Sequence, residues 1–382
     1  MPVYYFSLVW VSVCGIISNI TSRQVKISDK VYENRSRLLI AIIAILPIII
    51  LAGFRTGVAD TSAYIMNFED YPNNLSTSYS MIFDGNRRDP GFLFISILIK
   101  QFISTDYTVW LSIIAVISGI CVMIPLYKYS CNFGVSIFLF VATCQFIWMF
   151  NGIRQFLVAS IIFGCTGLIL RRRFIIYAII VCLLSTIHTS ALILLPAYFI
   201  VTGEPWDKRT ILFICLIILT ILFTSQFTGL LEDAVENTNY ASSMEEFKST
   251  DDGTSIMRIA VESVPIIIAF IYRNRIKNKL TSIIKLSINM SLVASGLYII
   301  SKIARSGVML GRLPIYFSMY NLILLPWLIK NIFDKEEKRL VYYLMIVCYI
   351  IFFYYQMVIS WNGLEYASSI LNIKYQTINI QR

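Results

Sequence analysis

The chain has 382 residues, of which 57% are hydrophobic and only 14% are charged. Soluble globular domains carry about 25% charged residues, so this composition excludes an ordinary water-soluble fold. The apolar residues also form long unbroken runs without alternation, which excludes an outer-membrane β-barrel. Helices are the remaining structure that satisfies its own backbone in lipid. The sequence therefore predicts an all-α, polytopic integral membrane protein.

Charge and cysteine usage exclude several other classes. The chain has 32 Lys and Arg residues against 22 Asp and Glu residues, and this net charge of +10 is typical of a membrane protein with basic cytoplasmic loops. We therefore expect no nucleic-acid partner. The eight cysteines form no CxxC pair and the chain has one histidine, so we expect no disulfide, no bound metal and no cofactor.

In chain order, the apolar runs predict a single transmembrane domain over residues 1–382, with about 12 crossings of about 20 residues each. The predicted spans are 3–20, 38–53, 107–126, 135–150, 155–170, two short spans within 174–200, 211–231, 256–272, 283–300, 313–329 and 340–361. The run 91–103 is too short to cross comfortably, and we expect an interfacial or re-entrant helix there.

The run from Phe174 to Ile200 decides the topology, because it admits either one kinked span or two short spans that meet at His188. Two spans place Lys208 and Arg209 in the cytoplasm, as the positive-inside rule favours, whereas one span places them outside. We therefore predict two spans, with both termini outside. The same topology predicts two external loops, at residues 54–90 and at the acidic stretch 232–255.

This topology collects ionisable side chains at the outer face of the membrane. They are Arg55, Asp60, Arg87, Arg88, Asp89, Arg154, His188, Lys302, Arg305 and Arg312. Cations are disfavoured on this side unless something holds them there. Because a guanidinium group donates forked hydrogen bonds to phosphate oxygens, the pattern indicates an anionic ligand at the membrane surface, such as a lipid diphosphate.

Each candidate also has a plainer structural explanation. Asp60 is suited to cap a helix that begins at Thr61. Tyr64 and Phe68 would then share one face of that helix. The arginines are suited to reach lipid headgroups from helix ends. A single histidine is often a structural hydrogen-bonding group, although His188 is also the side chain best able to shuttle a proton near neutral pH.

The ordered combination of these segments resembles the EpsG family, Wzy-like polymerases of bacterial exopolysaccharide and capsule. The matching segments are Arg55 with Asp60, Thr61 and Tyr64; Asp89-Pro90-Gly91-Phe92; Asn151-Gly152-Ile153-Arg154-Gln155; Ile187-His188-Thr189-Ser190-Ala191; Arg312 with Tyr316 and Phe317; and Lys374-Tyr375. They span nearly the whole chain. The chain departs from the family pattern at Asp89, where the family usually has Glu, and in the preceding pair Arg87 and Arg88.

The resemblance implies a helical bundle like those of GT-C-like polysaccharide polymerases. It also implies a metal-independent transfer of a growing glycan from undecaprenyl diphosphate onto a lipid-linked repeat unit, at the outer face of the bacterial cytoplasmic membrane. Arg154 and Arg312, with Arg55, would neutralise the departing diphosphate. His188 or Asp60 would accept the proton of the acceptor hydroxyl, and both stay open. Further implied ligands of diphosphate and glycan are Arg305, Asp89, Tyr64 and Tyr316.

The partners that the resemblance implies are the undecaprenyl-diphosphate-linked oligosaccharide, membrane lipid, and the flippase and chain-length regulator of the same pathway. The main alternative is a lipid-linked oligosaccharide flippase or other transporter. Such a protein would place its cations nearer the midplane and would repeat broken helices in two halves, and the sequence has no such repeat. A non-catalytic scaffold of an export complex is the third possibility.

Overall fold

The computed structural model describes residues 1–28, 31–74, 81, 89–223, 253–307, 309–362 and 364–374. The predicted candidates Arg87, Arg88 and Tyr375 lie outside the described residues, as does the acidic loop up to residue 252. The described chain divides into two compact units. The first contains residues Met1–Gly164, Leu183–Thr189 and Ile346–Arg382, and the second contains Cys165–Cys182 and Ser190–Met345.

Most of the described chain is helical, as the apolar runs predict. In chain order the helices are α1 (Pro2–Ile20), α2 (Leu38–Gly53), α3 (Thr61–Asp70), α4 (Pro90–Phe102), α5 (Tyr107–Tyr129), α6 (Phe133–Ala142), α7 (Ile153–Gly164), α8 (Thr166–Leu170), α9 (Phe174–Ser185), α10 (Leu194–Val201), α11 (Lys208–Leu222), α12 (Ile256–Ile271), α13 (Arg273–Ile276), α14 (Ser282–Ile303), α15 (Ile315–Ser318), α16 (Asn321–Ile332) and α17 (Lys335–Tyr354). Short 3₁₀ segments cover Gln145–Met149, Thr189–Ile193 and Lys277–Lys279, and a π-helical segment covers Tyr355–Ser360.

Four helices in the described ranges are long and apolar enough to cross a membrane. They are Pro2–Ile20, Tyr107–Tyr129, Ser282–Ile303 and Lys335–Ser360. Six shorter apolar helical segments accompany them. They include α2, which has the bounds of the predicted run 38–53, and α4, the predicted short helix. The helical membrane fold is therefore confirmed, whereas the count of about 12 crossings stays a prediction.

The structure corrects the all-α prediction between α1 and α2. Residues Arg23–Ser28 form strand β1 and Val31–Arg35 form strand β2, and the two pair antiparallel with Arg23 opposite Arg35. The segment between two apolar runs was expected to be a basic loop. Its first half, Gln-Val-Lys-Ile, alternates polar and apolar residues with the period of two that favours strands, and its second half begins with the strand-forming residues Val31 and Tyr32.

Three predicted spans are broken in the structure. The run 135–150 forms α6 only to Ala142, after which Cys144 adopts a left-handed φ of 61° and the chain continues as the 3₁₀ segment. The hydroxyl of Thr143 donates to the carbonyl of Leu139 at 2.7 Å, a local bond of the kind that bends helices. The run 313–329 is likewise divided between α15 and α16. The run 155–170 is divided at Cys165 between α7 and α8. A continuous helix was wrong in all three places.

The start of α9 and the end of α10 lie side by side in the second unit. Phe174, at the start of α9, packs against Tyr198 near the end of α10, with ring centroids 4.9 Å apart. Arg172 and Gly203 line one small open cavity of about 100 Å³, so the chain leaves this end of the unit and returns to it. A single span would separate these two residues by the thickness of the membrane. The chain therefore turns back within this run, with His188 at the turn, whereas the crossing of the membrane by each arm stays a prediction.

The turn at His188 predicts on which side of the membrane Thr189 and Lys208 lie. We expect a reporter enzyme that is active only outside the cytoplasm to be active when fused after Thr189 and inactive when fused after Lys208. A fusion after Arg173 is the control and should be inactive. External activity at Lys208 would mean that residues 174–201 cross once, and it would remove the argument that places His188 at the outer face.

Candidate functional site

The centre of the candidate site is an ion pair in the first unit. The Nη1 of Arg154 donates to the Oδ2 of Asp89 at 2.7 Å. The Asp89 side chain is 5% exposed and that of Arg154 is 36% exposed, so the carboxylate is enclosed while part of the guanidinium reaches the surface. The sequence proposed both residues from segments 65 positions apart, and the structure brings them together.

Two aromatic rings flank the exposed cation. The guanidinium carbon of Arg154 lies 5.7 Å from the ring centroid of Tyr64 and 5.9 Å from that of Phe92. Tyr64 is carried by α3, which begins at Thr61 as predicted. Phe68, one turn along α3, stacks on Trp110 with centroids 4.6 Å apart, which fixes the face that presents Tyr64. Cation–π contact of this kind orients an arginine without neutralising it.

The Asp89-Pro90-Gly91 turn has a backbone conformation that explains its residue types. Asp89 has a left-handed φ of 56°, a region that Asp tolerates better than most side chains. Pro90 occupies the first turn of α4, where a missing N–H costs nothing. The N–H of Gly91 donates to the carbonyl of Thr186 at 2.8 Å, and a Cβ on Gly91 would lie 2.9 Å from the Thr186 backbone carbon.

This contact brings the histidine segment to the same place. His188 follows Thr186 by two residues, and its N–H donates to the carbonyl of Leu184 at 3.0 Å in the turn that ends α9. His188 is half-buried. The structure therefore joins the Asp89, Arg154, Tyr64 and His188 segments at one end of the first unit.

Asp60 differs from its expected role. The helix begins after it, and the N–H of Tyr64 donates to its carbonyl at 3.1 Å, but its side chain makes no capping hydrogen bond. The predicted cap is therefore wrong, and the carboxylate is exposed at the start of α3. An exposed carboxylate without a capping bond is available for other contacts.

Arg55 is buried, with 1% of its surface exposed. Its Nε donates to the hydroxyl of Thr61 at 3.0 Å and its Nη1 donates to the carbonyl of Ala52, whereas its Nη2 has no hydrogen-bond partner in the described part of the chain. Burial lowers the pKa of Arg55 to about 10, so the group stays charged at neutral pH. In this conformation the side chain holds its own segment together and has no open path to a ligand.

The Arg312 segment lies in the second unit. Arg312 is half-buried, and Arg305 is exposed with a left-handed φ of 48°. Tyr316 is 1% exposed, and its hydroxyl lies 2.9 Å from the hydroxyl of Ser190. Gly311 approaches Thr254 and Ser301 so closely that an added Cβ would lie 2.8 Å and 2.9 Å from their hydroxyl oxygens. The loop that carries these arginines is therefore tightly packed at its end.

The second unit also contains a buried polar cluster that sequence reasoning missed. The Nη1 of Arg258 lies 3.4 Å from the Oε1 of Glu262 one turn along α12, and both side chains are buried. The Nδ2 of Asn321 donates to the Oε2 of Glu262 at 2.9 Å, and Tyr298 hydrogen bonds to Arg258. The available signal was two opposite charges four residues apart within an apolar run.

Lys100 binds the end of α3, a role that the sequence did not indicate. Its Nζ donates to the carbonyls of Phe68, Glu69 and Tyr71 at 2.9, 2.7 and 2.6 Å. These are carbonyls at the C-terminal end of α3, where a cation satisfies acceptors that the helix leaves open. Lys100 therefore fixes α3, and with it Tyr64, against α4. Among the residues that the structure describes, no group of three or more His, Cys, Asp or Glu side chains is placed to hold a metal ion.

The arrangement in the first unit is suited to bind an anion beside an aromatic surface. Asp89 holds one amino group of Arg154, and the exposed remainder of the guanidinium keeps donors for phosphate or carboxylate oxygens. The rings of Tyr64 and Phe92 add apolar faces next to that cation. The fold defines the class of the protein as a helical membrane protein, in which the partly exposed cation of Arg154 lies beside two aromatic rings.

Comparison with protein families identifies this membrane protein further. The model of the family described as EpsG family matches residues 38–377, nearly the whole chain. The chain therefore belongs to the EpsG family, as its segments predicted, and this membership fits a role in polysaccharide polymerisation. No curated protein and no solved structure matches the chain significantly.

The close approach at Gly91 predicts the effect of a single methyl group. We expect Gly91→Ala to destabilise the protein by about 1–3 kcal/mol, because the added Cβ overlaps the backbone of Thr186. The measurement is the thermal unfolding midpoint in detergent. Ser62→Ala, at an exposed position of α3, is the control and should leave the midpoint unchanged. Equal midpoints for all three proteins would show that the two segments are not in contact.

Proposed function

We propose that this protein is a polysaccharide polymerase that transfers a growing glycan from undecaprenyl diphosphate onto a lipid-linked repeat unit. The observation that carries the proposal is the half-exposed Arg154, held by the buried Asp89 and flanked by the rings of Tyr64 and Phe92. A lipid-linked glycan has both features that this site fits, a diphosphate and an adjoining sugar. Membership in the EpsG family supports the same assignment.

The proposed reaction is a displacement at the anomeric carbon of the glycan. The acceptor hydroxyl forms the new carbon–oxygen bond, the bond to the lipid diphosphate breaks, and the electron pair leaves with the diphosphate oxygen. Negative charge therefore grows on the diphosphate, where Arg154 would stabilise it. Arg312 and Arg305 are proposed as further cations for the same substrate. Asp89 would act as a positioning residue, because it fixes the direction of the Arg154 guanidinium.

The proton of the acceptor hydroxyl needs a base, and His188 is the proposed one. The contact between Gly91 and Thr186 supports this choice, because it ties the histidine turn to the turn that carries Asp89. Asp60 is the second candidate, since its exposed carboxylate precedes the helix that carries Tyr64. The reaction would take place at the outer face of the bacterial cytoplasmic membrane, with a flippase supplying the repeat unit and a chain-length regulator limiting the product.

One observation favours a second candidate function, a lipid-linked oligosaccharide transporter. The buried pair of Arg258 and Glu262 lies within the apolar helix α12, and ionisable groups inside membrane helices often mark a transport pathway. The polymerase remains the better proposal, because the Arg154 site joins an exposed cation to aromatic faces and the family match covers nearly the whole chain.

The Arg154 site can be tested by reconstitution. The purified protein in proteoliposomes, supplied with the undecaprenyl-diphosphate repeat unit of its own gene neighbourhood, should produce a ladder of lengthened glycans. We expect Arg154→Gln to lower the elongation rate by about 100-fold or more, the usual effect of removing one transition-state donor. The elongation rate of Arg154→Lys should lie between those of wild type and Arg154→Gln, because lysine keeps the positive charge but cannot donate two parallel hydrogen bonds.

The matched control is Arg171→Gln, which removes the same charge from an exposed position and should leave the ladder unchanged. A ladder that survives Arg154→Gln would keep the polymerase but discard this site. If wild-type protein gives no ladder and instead moves the lipid-linked oligosaccharide across the vesicle wall, the transporter is correct and the polymerase proposal fails.

The choice of base is tested with two isosteric substitutions. We expect His188→Gln to lower the elongation rate by about 10²–10⁴-fold, the range for loss of a general base, and Asp60→Asn to change it only a few-fold. Both variants are measured at a saturating concentration of the lipid-linked glycan donor, so that weaker substrate binding is not mistaken for a slower chemical step. The opposite result would assign the base to Asp60, and two unaffected variants would remove both residues from the chemistry.

A further inference from the structure

Arg55 is a buried cation without a counter-charge among its described neighbours. Its Nη2 is enclosed and has no hydrogen-bond partner, and the titratable side chains near it are Tyr4, Tyr64 and Tyr366, which are neutral at physiological pH. Burying a guanidinium is strongly disfavoured unless an anion or a full set of acceptors compensates it. Nε donates to Thr61 and Nη1 donates to Ala52, so the nitrogen that lacks a hydrogen-bond acceptor is Nη2.

The C-terminal segment 364–374, which lies more than 300 residues away in sequence, packs against the residues around Arg55. Ala367 exchanges two backbone hydrogen bonds with Gly57, at 2.9 and 3.3 Å. The hydroxyl of Tyr366 donates to the carbonyl of Leu51 at 2.9 Å, and that of Ser368 donates to the carbonyl of Phe54 at 2.5 Å. These bonds hold the segment across the chain on both sides of Arg55.

We propose that Arg55, Tyr4 and Tyr366 form a closed seat for a phosphate group, and that segment 364–374 is its removable cover. The proposal rests on the proposed function, because a lipid diphosphate is then the source of the phosphate. An ordinary phospholipid headgroup offers the same chemistry. A phosphate oxygen at Nη2 supplies the missing acceptor and the missing charge in one contact.

The cover follows from the geometry of the seat. A 1% exposed guanidinium cannot exchange a ligand with the solvent unless some part of its enclosure moves. The C-terminal segment forms no helix. It is held by hydrogen bonds to the residues around Arg55 and by the contact of Tyr366 with Phe150, and by no ion pair among the described residues. Its neighbours α2 and α3 are regular helices whose movement would break many more bonds.

The seat is tested first by ligand binding, which needs no polymerase activity. The measurements use an Arg154→Gln background, because Arg154 is itself proposed to bind diphosphate. Inorganic diphosphate should raise the unfolding midpoint of this background protein with Arg55 intact in detergent, as a ligand of the native state does. Arg55→Gln should lose this rise and Arg55→Lys should keep part of it. Arg23→Gln, which removes an exposed cation of the same unit, is the control and should keep all of it. Equal rises in the background protein and both Arg55 variants would overturn the seat.

The cover is tested by locking it. Residues that exchange both bonds in an antiparallel pair have Cα atoms about 5.5 Å apart, within the reach of a disulfide. In the double variant Gly57→Cys/Ala367→Cys, again in the Arg154→Gln background, oxidation before diphosphate is added should abolish the rise in midpoint, and oxidation after it is added should preserve the rise. Reduction should restore binding. A rise that is independent of the order of addition would overturn the cover.

The source of the phosphate is decided by a parallel titration. Phosphatidylglycerol vesicles that raise the midpoint as strongly as the undecaprenyl-diphosphate repeat unit, with the same loss in Arg55→Gln, would assign the seat to lipid headgroups. A rise confined to the repeat unit would assign it to the polymerase substrate. If wild type makes no glycan ladder yet binds diphosphate through Arg55, the proposed function fails and the seat stands.

Discussion

The ion pair between Asp89 and Arg154 is the interaction on which the candidate site depends. Asp89 is enclosed, so its carboxylate needs a cation, and Arg154 supplies it at 2.7 Å across 65 residues of sequence. Without that cation the carboxylate would be a buried, uncompensated charge, which is far more costly than the pair itself. The pair thereby ties the start of α7 to the start of α4 and leaves the rest of the guanidinium exposed.

The conformation of the neighbouring chain follows from this pair. Asp89 reaches Arg154 from a left-handed backbone position, and Pro90 then starts α4 at once. Gly91 has to be small because the backbone of Thr186 lies against it. Lys100, at the other end of the same helix, holds the last carbonyls of α3. One short helix therefore fixes the position of the ion pair, the histidine turn and Tyr64.

The sequence predicted what depends on local pattern. The uncharged apolar run 38–53 predicted α2, and the distribution of basic residues predicted that the chain turns back near His188. The hairpin after α1 was missed because a charged segment between spans resembles a loop. The burial of Arg55 was unpredictable for a different reason, since it depends on Ala367 and its neighbours, and no local pattern links residues that far apart. The side-chain roles at Asp89 and Arg154 came from resemblance, whereas their pairing needed the structure.

The two arginines of the first unit differ in a way that suits successive tasks on one anion. Arg154 is neutralised by Asp89 and partly open, so a phosphate that binds there competes with a carboxylate and can leave quickly. Arg55 has no carboxylate among its charge neighbours and is enclosed, so a phosphate there would face no competitor and would leave only when the enclosure opens. The proposed polymerase would use both properties, because it would have to release one lipid diphosphate in each cycle while it retains the other chain.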